Sequence, residues 1–233
     1  MIDVYVTDDI SIDPLRQVEW PFEVRWHEGI QVPQSGELFY DREGVGLSSP
    51  DGQKPLRLSW EEGLRHWMRE KRASLVQNSL CKALGLKEAQ SVIDATVGLG
   101  KDSCLLLALG HTIIGYERSP KIYFLQRASQ ITENFLLERL TLNFGSVTNN
   151  PENFPLYFDP MFDDGKKRKA LPNKGMALFH KLVGGDSDAK EEAMRLRELT
   201  SRLVIKRAPK AAMLLEKRNS CWESKAVRFD LYL

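Results

Sequence analysis

The sequence predicts an α/β fold: a Rossmann-like parallel sheet with helices on both faces, joined to a small N-terminal antiparallel β region. Three observations lead there. Strand-length apolar runs alternate with helix-length segments beyond about residue 85; a glycine-bearing turn joins the first of those strands to its helix; and the first 60 residues hold short β-prone pieces cut by Pro and Gly. The expected organisation is an N-terminal β-rich region over residues 1–60 and a Rossmann-like domain over 61–233.

The β-prone pieces are IDVYV, FEVRWH, ELFYD, VGLSS and LRLSW, with Ser49-Pro50-Asp51-Gly52 as the clearest turn. From Trp60 the spacing becomes helical, with Leu64, Trp67, Met68, Leu75, Leu80 and Leu84 recurring until Gly85. Ser91–Ala95 then reads as a buried strand, and Asp102–Leu109 as a helix closed by Gly110. Thr112–Tyr116 is the next strand, and Pro120 starts a helix in a favoured first-turn position that runs to about Asn134. Leu140–Phe144 and Pro155–Phe158 are strands, Met176–Leu182 and Ala189–Leu199 helices, and Arg202–Lys206 a strand. Val227–Leu233 alternates in the manner of an edge strand.

Composition narrows the function classes. A charged fraction of 28% and a hydrophobic fraction of 42% over 233 residues belong to an ordinary globular protein. No apolar run reaches the roughly 18 residues that would span a bilayer. The acidic N-terminus, with no basic residue before Arg16, does not have the charge of a secretory or organellar signal, so a cytoplasmic location is expected. Cys81, Cys104 and Cys221 form no C-x-x-C pair and the four histidines show no ligand spacing, so neither a metal site nor a disulfide framework is expected. The net charge of +1 excludes a generally basic surface but not a local one.

The chemistry-bearing segment is Asp94-Ala-Thr-Val-Gly98-Leu-Gly100-Lys101-Asp102, between a strand and a helix. Gly98 and Gly100 permit backbone conformations and close ligand approach that a Cβ would obstruct. The second strand ends in Tyr116-Glu117-Arg118, where a carboxylate can accept both ribose hydroxyls of an adenosine. A dinucleotide fingerprint would carry a third glycine where Ser103 stands, and its pyrophosphate would meet Asp102 at the helix start. An acid there suits a ligand without phosphate that carries a sulfonium and an amine. These residues point to S-adenosylmethionine, with Asp94, Gly98, Gly100, Lys101, Asp102 and Glu117 as its cradle.

A second corner, Tyr157-Phe158-Asp159-Pro160-Met161-Phe162, ends a later strand with an acid, a proline and an aromatic. Proline stops the strand and holds Asp159 extended, at the same sheet edge as the glycine loop. An exocyclic purine amine is a poor nucleophile because its lone pair is delocalised into the ring. The Asp159 carboxylate and the Pro160 carbonyl can accept its N–H groups while Phe162 stacks on the base, which must be unstacked or flipped to reach them. The expected catalytic set is Asp159, Pro160 and Phe162, acting by positioning without metal or covalent intermediate.

DATVGLGKD, YERSP, YFDPMF, KLVGGD, VIKRAP and RFDLY together resemble, in order and spacing, the bacterial small-subunit ribosomal RNA methyltransferase J family. The resemblance covers roughly residues 60–233. It implies a Rossmann-like class I S-adenosylmethionine-dependent methyltransferase that forms N2-methylguanosine in 16S rRNA. It also implies cofactor contacts at Lys101, Asp102, Glu117, Arg118, Ser146 and Asp159. The chain departs from the family in three places. Lys101 stands where Arg is commoner; the family's basic, glycine-rich stretch is replaced by His66–Leu75 without glycine; and Asp163-Asp164-Gly165 follows the corner in place of proline.

Lys166, Lys167, Arg168 and Lys169 follow the corner directly, and Lys206-Arg207 follow the last parallel strand, so all six are candidate RNA contacts beside the site mouth. The implied partner is 16S rRNA or the small ribosomal subunit. Arg65, Arg69, Lys71 and Arg72, interleaved with Trp67 and Leu75, also suit the polar face of an amphipathic helix. Two other readings share much of this pattern: the same fold methylating a small molecule or a protein, and an RNA-binding module without catalysis.

Overall fold

A computed structural model describes residues 1–8, 10–29, 33–49, 54–69, 78–133, 138–161 and 185–233. In chain order the elements are β1 (Ile2–Val6), α1 (Asp13–Arg16), β2 (Val24–Glu28), β3 (Leu38–Asp41), β4 (Gly44–Leu47), β5 (Leu56–Arg57), α2 (Trp60–Arg69) and α3 (Ser79–Leu84). There follow β6 (Ser91–Asp94), α4 (Lys101–Ala108), β7 (Thr112–Glu117), α5 (Pro120–Thr132), β8 (Leu140–Phe144), β9 (Leu156–Phe158), α6 (Ala189–Glu198), β10 (Leu203–Arg207), β11 (Ser220–Glu223) and β12 (Arg228–Tyr232). The helix expected over Met176–Leu182 lies outside the described residues. The chain forms two compact units, one from Met1–Glu62 with 118–133, the other from Gly63–Glu117 with 138–161 and 185–233.

The first unit holds a five-stranded sheet in the order β2-β1-β3-β4-β5. It is β-rich as expected, but it is mixed rather than antiparallel: β1 runs parallel to both β2 and β3, and only β3-β4-β5 form antiparallel pairs. The reason is α1, a one-turn helix with Pro14 in its first turn, which carries the chain over from β1 to a parallel neighbour. Alternation along β1 buries Ile2, Val4 and Val6. Helix α5 supplies much of the remaining core: Phe124 is fully buried, 4.4 Å from the Trp20 ring and 5.9 Å from Trp26. Trp60 is buried beside it and donates its indole N–H to the Gln126 carbonyl at 3.0 Å.

The second unit holds a seven-stranded sheet in the order β11-β12-β10-β9-β6-β7-β8. Five strands, β10-β9-β6-β7-β8, are parallel. Strands β9 and β10 read as near-continuous apolar runs because Leu156, Phe158, Leu203 and Ile205 pack with Ile93, Ala193 and Leu196 in one core. The chain builds outward from β6 through β7 to β8, then returns to β9 on the other side of β6. That reversal makes the β6/β9 boundary the switch point, where ligands gather at the strand C-termini.

One strand is corrected. The segment read as an edge strand, β12, lies inside the sheet, antiparallel between β10 and β11, and all five of its residues are buried. Its charged residues imitate a solvent face, yet they satisfy each other: Arg228 donates to both Asp230 oxygens at 2.8 and 2.9 Å and to the carbonyls of Pro209 and Ala211. The outer position belongs to β11, Ser220–Glu223.

Candidate active site

The turn after β6 is built by its own side chains. Asp94, 1% exposed, accepts the Thr96 N–H at 3.0 Å through one oxygen and the Ser103 hydroxyl at 2.6 Å through the other, tying the strand end to the first turn of α4. Gly98 and Gly100 have φ of 53° and 71°, the left-handed region that glycine enters without steric cost. Glu117, at the end of β7, accepts the Gly98 N–H at 3.0 Å. Thus the loop backbone and the expected ribose acid are held in one arrangement.

The strand register explains how the second half of the site forms. Asp94 pairs with Tyr157, and Phe158 with Ile205; one residue further on stand Asp159 and Lys206. Lys206 Nζ lies 2.9 Å from Asp159 Oδ2 and 2.7 Å from Asp102 Oδ2. The Tyr157 hydroxyl also donates to Asp102 Oδ2, at 2.5 Å. The Asp159 N–H reaches back to Thr96 Oγ1 at 2.6 Å, which locks the corner onto the glycine loop. Beyond the buried Pro160, Met161 exchanges hydrogen bonds with Asp186: its N–H with the carboxylate at 2.7 Å, its carbonyl with the Asp186 N–H at 2.8 Å.

Crowding carboxylates under a sheet edge has an electrostatic cost. Burial, reinforced by Asp102 and Asp159, pushes Asp94 up to about 7 against the opposing hydrogen bonds from Ser103 and Thr96. Burial likewise raises Asp159 to about 6, with Lys206 pulling it down and Asp102 and Asp186 pushing it up. Tyr157 is raised well above its usual value by burial and by the neighbouring acids. Burial works against the charge of Lys206, but Asp159 and Asp102 outweigh it and raise its pKa. This acid-rich, phosphate-averse cradle fits a ligand bearing a sulfonium and an amine, while the two left-handed glycines leave its wall free of Cβ atoms.

The expected residues separate into groups. Gly98, Gly100, Lys101, Asp102, Glu117, Asp159 and Pro160 come to the C-terminal edge of the sheet around the switch point. Asp94 is there too, but both its oxygens are engaged in bracing the loop. Arg118 follows Glu117 directly, and Ser146 follows Gly145, whose N–H is bound to the Glu117 carbonyl at 2.9 Å. Phe162 and the run Lys166, Lys167, Arg168 and Lys169 lie outside the described residues, as do Lys71 and Arg72. Lys206 and Arg207, expected as RNA contacts, are turned inward. Lys206 is held by two carboxylates; Arg207, 7% exposed, donates twice to the Ala212 carbonyl.

Sequence reading missed several supports. Tyr157 and Thr96 looked like ordinary strand and turn residues, because their partners lie 55 and 63 residues away. Gly115 was also unread. A Cβ at that position in β7 would meet Val97 Cγ2 at 2.5 Å, so the glycine loop can lie on the strand only because a hydrogen stands there. In α2, Trp67 donates its indole N–H to the Lys101 carbonyl at 3.2 Å.

Known proteins resemble this chain in sequence and in fold. The family of SAM-dependent methyltransferases matches residues 25–233. The ribosomal RNA small subunit methyltransferase J of Bdellovibrio bacteriovorus is 33% identical, covering 90% of this chain and 89% of the relative. The protein of the same name from Alteromonas mediterranea is 32% identical, covering 97% and 93%. Among solved structures, a SAM-dependent methyltransferase from Neisseria gonorrhoeae superposes with a TM-score of 0.71 at 23% identity, covering 99% of this chain and 95% of that one, which establishes the likeness of fold.

Proposed function

The chain belongs to the ribosomal RNA small subunit methyltransferase J family of S-adenosylmethionine-dependent enzymes, and from that premise we propose that it methylates the exocyclic N2 of a guanine in 16S rRNA. The observation that carries the reading is the junction of the two corners. The Asp159-Pro160 turn is hydrogen-bonded directly to the cofactor loop through Thr96, so an acceptor amine and a methyl donor meet at one sheet edge.

S-adenosylmethionine, when bound, would supply a methyl on a sulfonium: the S–C bond would break with its electron pair left on sulfur, an N–C bond would form, and the amine's surplus proton would pass to the Asp159 carboxylate that accepts its N–H. The chain's own residues position the partners. Glu117 holds the loop and would take the ribose hydroxyls, Asp102 and Lys101 at the start of α4 would meet the cofactor, and Arg118 and Ser146 would add further contacts to it. Asp94 enters this reading as a brace for the loop. Asp159 accepts an N–H of the guanine amine, the Pro160 carbonyl a second, and Phe162 covers the base. Holding amine and methyl in line is where the rate is gained, because a well-oriented pair reacts as one molecule. Lys166, Lys167, Arg168 and Lys169 grip the RNA backbone beside the corner.

The test is transfer of labelled methyl from S-adenosylmethionine to small-subunit rRNA, given both as naked RNA and as assembled subunits. Asp159→Ala is expected to slow the chemical step by at least about a hundredfold, the lower range for one positioned proton acceptor. An Asp159→Ala enzyme that binds cofactor fully and keeps the wild-type rate removes Asp159 from the catalytic role.

A further inference from the structure

Resting on the methyl-transfer reading, the inference concerns Lys206. Among the described residues, five titratable groups face Asp159. They are Lys206 on β10, Asp102 on α4, Tyr157 on its own strand, Asp94 at the end of β6 and Asp186 ahead of α6. Among the described residues, the cation in contact with both Asp102 and Asp159 is Lys206.

We propose that Lys206 is a positioning residue for methyl transfer: clamped between Asp102 Oδ2 at 2.7 Å and Asp159 Oδ2 at 2.9 Å, its ammonium keeps the Asp159 carboxylate charged and turned so that Oδ1 meets the acceptor amine. Three features carry this. The clamp uses Oδ2 of Asp159, and among the described residues Oδ1 takes no hydrogen bond. The Asp159 backbone is separately fixed by Thr96, so side-chain rotation is the freedom the lysine removes. And the strand register, not a mobile loop, sets Lys206 beside Asp159, with Phe158 and Ile205 paired immediately before them. A lysine so committed to two carboxylates has little charge left to offer an RNA phosphate. A neutral Asp159 would turn one of its oxygens into a hydroxyl donor, the wrong polarity for receiving an N–H.

The experiment follows Asp159 itself. The side-chain carboxyl carbons of 13C-aspartate-labelled protein are titrated without RNA in wild type, Lys206→Met and Lys206→Arg, and kcat is measured against pH with rRNA. Loss of the cation is expected to raise the Asp159 midpoint by about one pH unit or more, the size of shift that an adjacent opposite charge produces. The acidic limb of kcat moves with it, KM for rRNA stays within about twofold, and Lys206→Arg restores most of the profile. A midpoint and acidic limb unmoved in Lys206→Met overturn the proposal. So does a raised KM for rRNA with an unchanged profile, which makes Lys206 a phosphate contact after all. Should Lys206→Met fail to fold, the wild-type 15Nζ resonance of Lys206 must follow the Asp159 titration, and an indifferent resonance rejects the clamp. If the carboxyl midpoint shifts while the wild-type enzyme methylates no rRNA, the acceptor assignment falls and the clamp stands.

Discussion

Asp94 is almost wholly buried, with a carboxyl bonded to Thr96 and Ser103 and a pKa pushed up to about 7 by burial. Its folded-state value lies above that of the unfolded chain, so between about pH 4 and pH 7 the folded protein holds a proton that the unfolded one has released. This contribution to stability is complete below pH 4 and is lost as pH rises through 7. Asp94→Asn still accepts the Thr96 N–H through its amide oxygen, donates its amide N–H to the Ser103 hydroxyl in place of accepting from it, and titrates no proton. It is expected to flatten the stability profile over that window by up to about 1.4 kcal/mol per pH unit, as read from urea melts at a series of pH values. The same residue shows what a sequence can disclose at this scale. The types at Asp94, Asp102, Glu117 and Asp159 were legible because an acid in a glycine loop or beside Pro160 is unusual. Their division of labour was not, because a bracing acid and a ligand-facing acid differ only in which neighbours consume their oxygens. Nor was the pairing of Lys206 legible: adjacency to Arg207 suggested a basic surface, whereas the register brings it beside Asp159.

At the scale of elements, the contact between β7 and the glycine loop depends on Gly115. Gly115→Ala forces a methyl against Val97 Cγ2 at 2.5 Å, and overpacking of this kind costs about 1–3 kcal/mol. Because Val97 precedes Gly98, the strain is expected to fall on the loop, weakening S-adenosylmethionine binding about tenfold by calorimetry. Adding Val97→Ala should return most of the affinity; no recovery in the double variant would place the effect elsewhere. Elements themselves were read well wherever one residue marked their ends: Pro120 opens α5, Gly110 follows α4, and the β8 boundaries agree residue for residue. Errors fell where sequence-distant pairing decides. Strand β12 appeared peripheral because Arg228 and Asp230 look solvated until their mutual bonds are seen. The N-terminal sheet appeared antiparallel because α1, a single turn, is too short to announce a crossover.

At the scale of the molecule, a net charge of +1 means that RNA affinity must come from a local patch. Changing Lys166, Lys167, Arg168 and Lys169 together to glutamine is expected to flatten the dependence of log affinity on log salt by about 3, at roughly 0.7 per phosphate contact on single-stranded RNA. An unchanged slope would move the RNA contact elsewhere on the surface. The parallel sheet was legible from the alternation of runs alone, since a right-handed β-α-β chain leaves few topologies to choose from; its switch point was not, because the alternation does not fix the strand order. The acceptor was not legible from alternation, because many chemistries share this sheet and only the side chains at its edge separate them. The central claim is that this edge methylates guanine N2 in small-subunit rRNA. Its most direct test is nucleoside mass spectrometry of small-subunit rRNA after incubation with the wild-type protein and labelled S-adenosylmethionine. The account predicts labelled N2-methylguanosine, lost in Asp159→Ala. Label on another atom, or rRNA left unmethylated both as naked RNA and as assembled subunits by a protein that binds the cofactor, would contradict it.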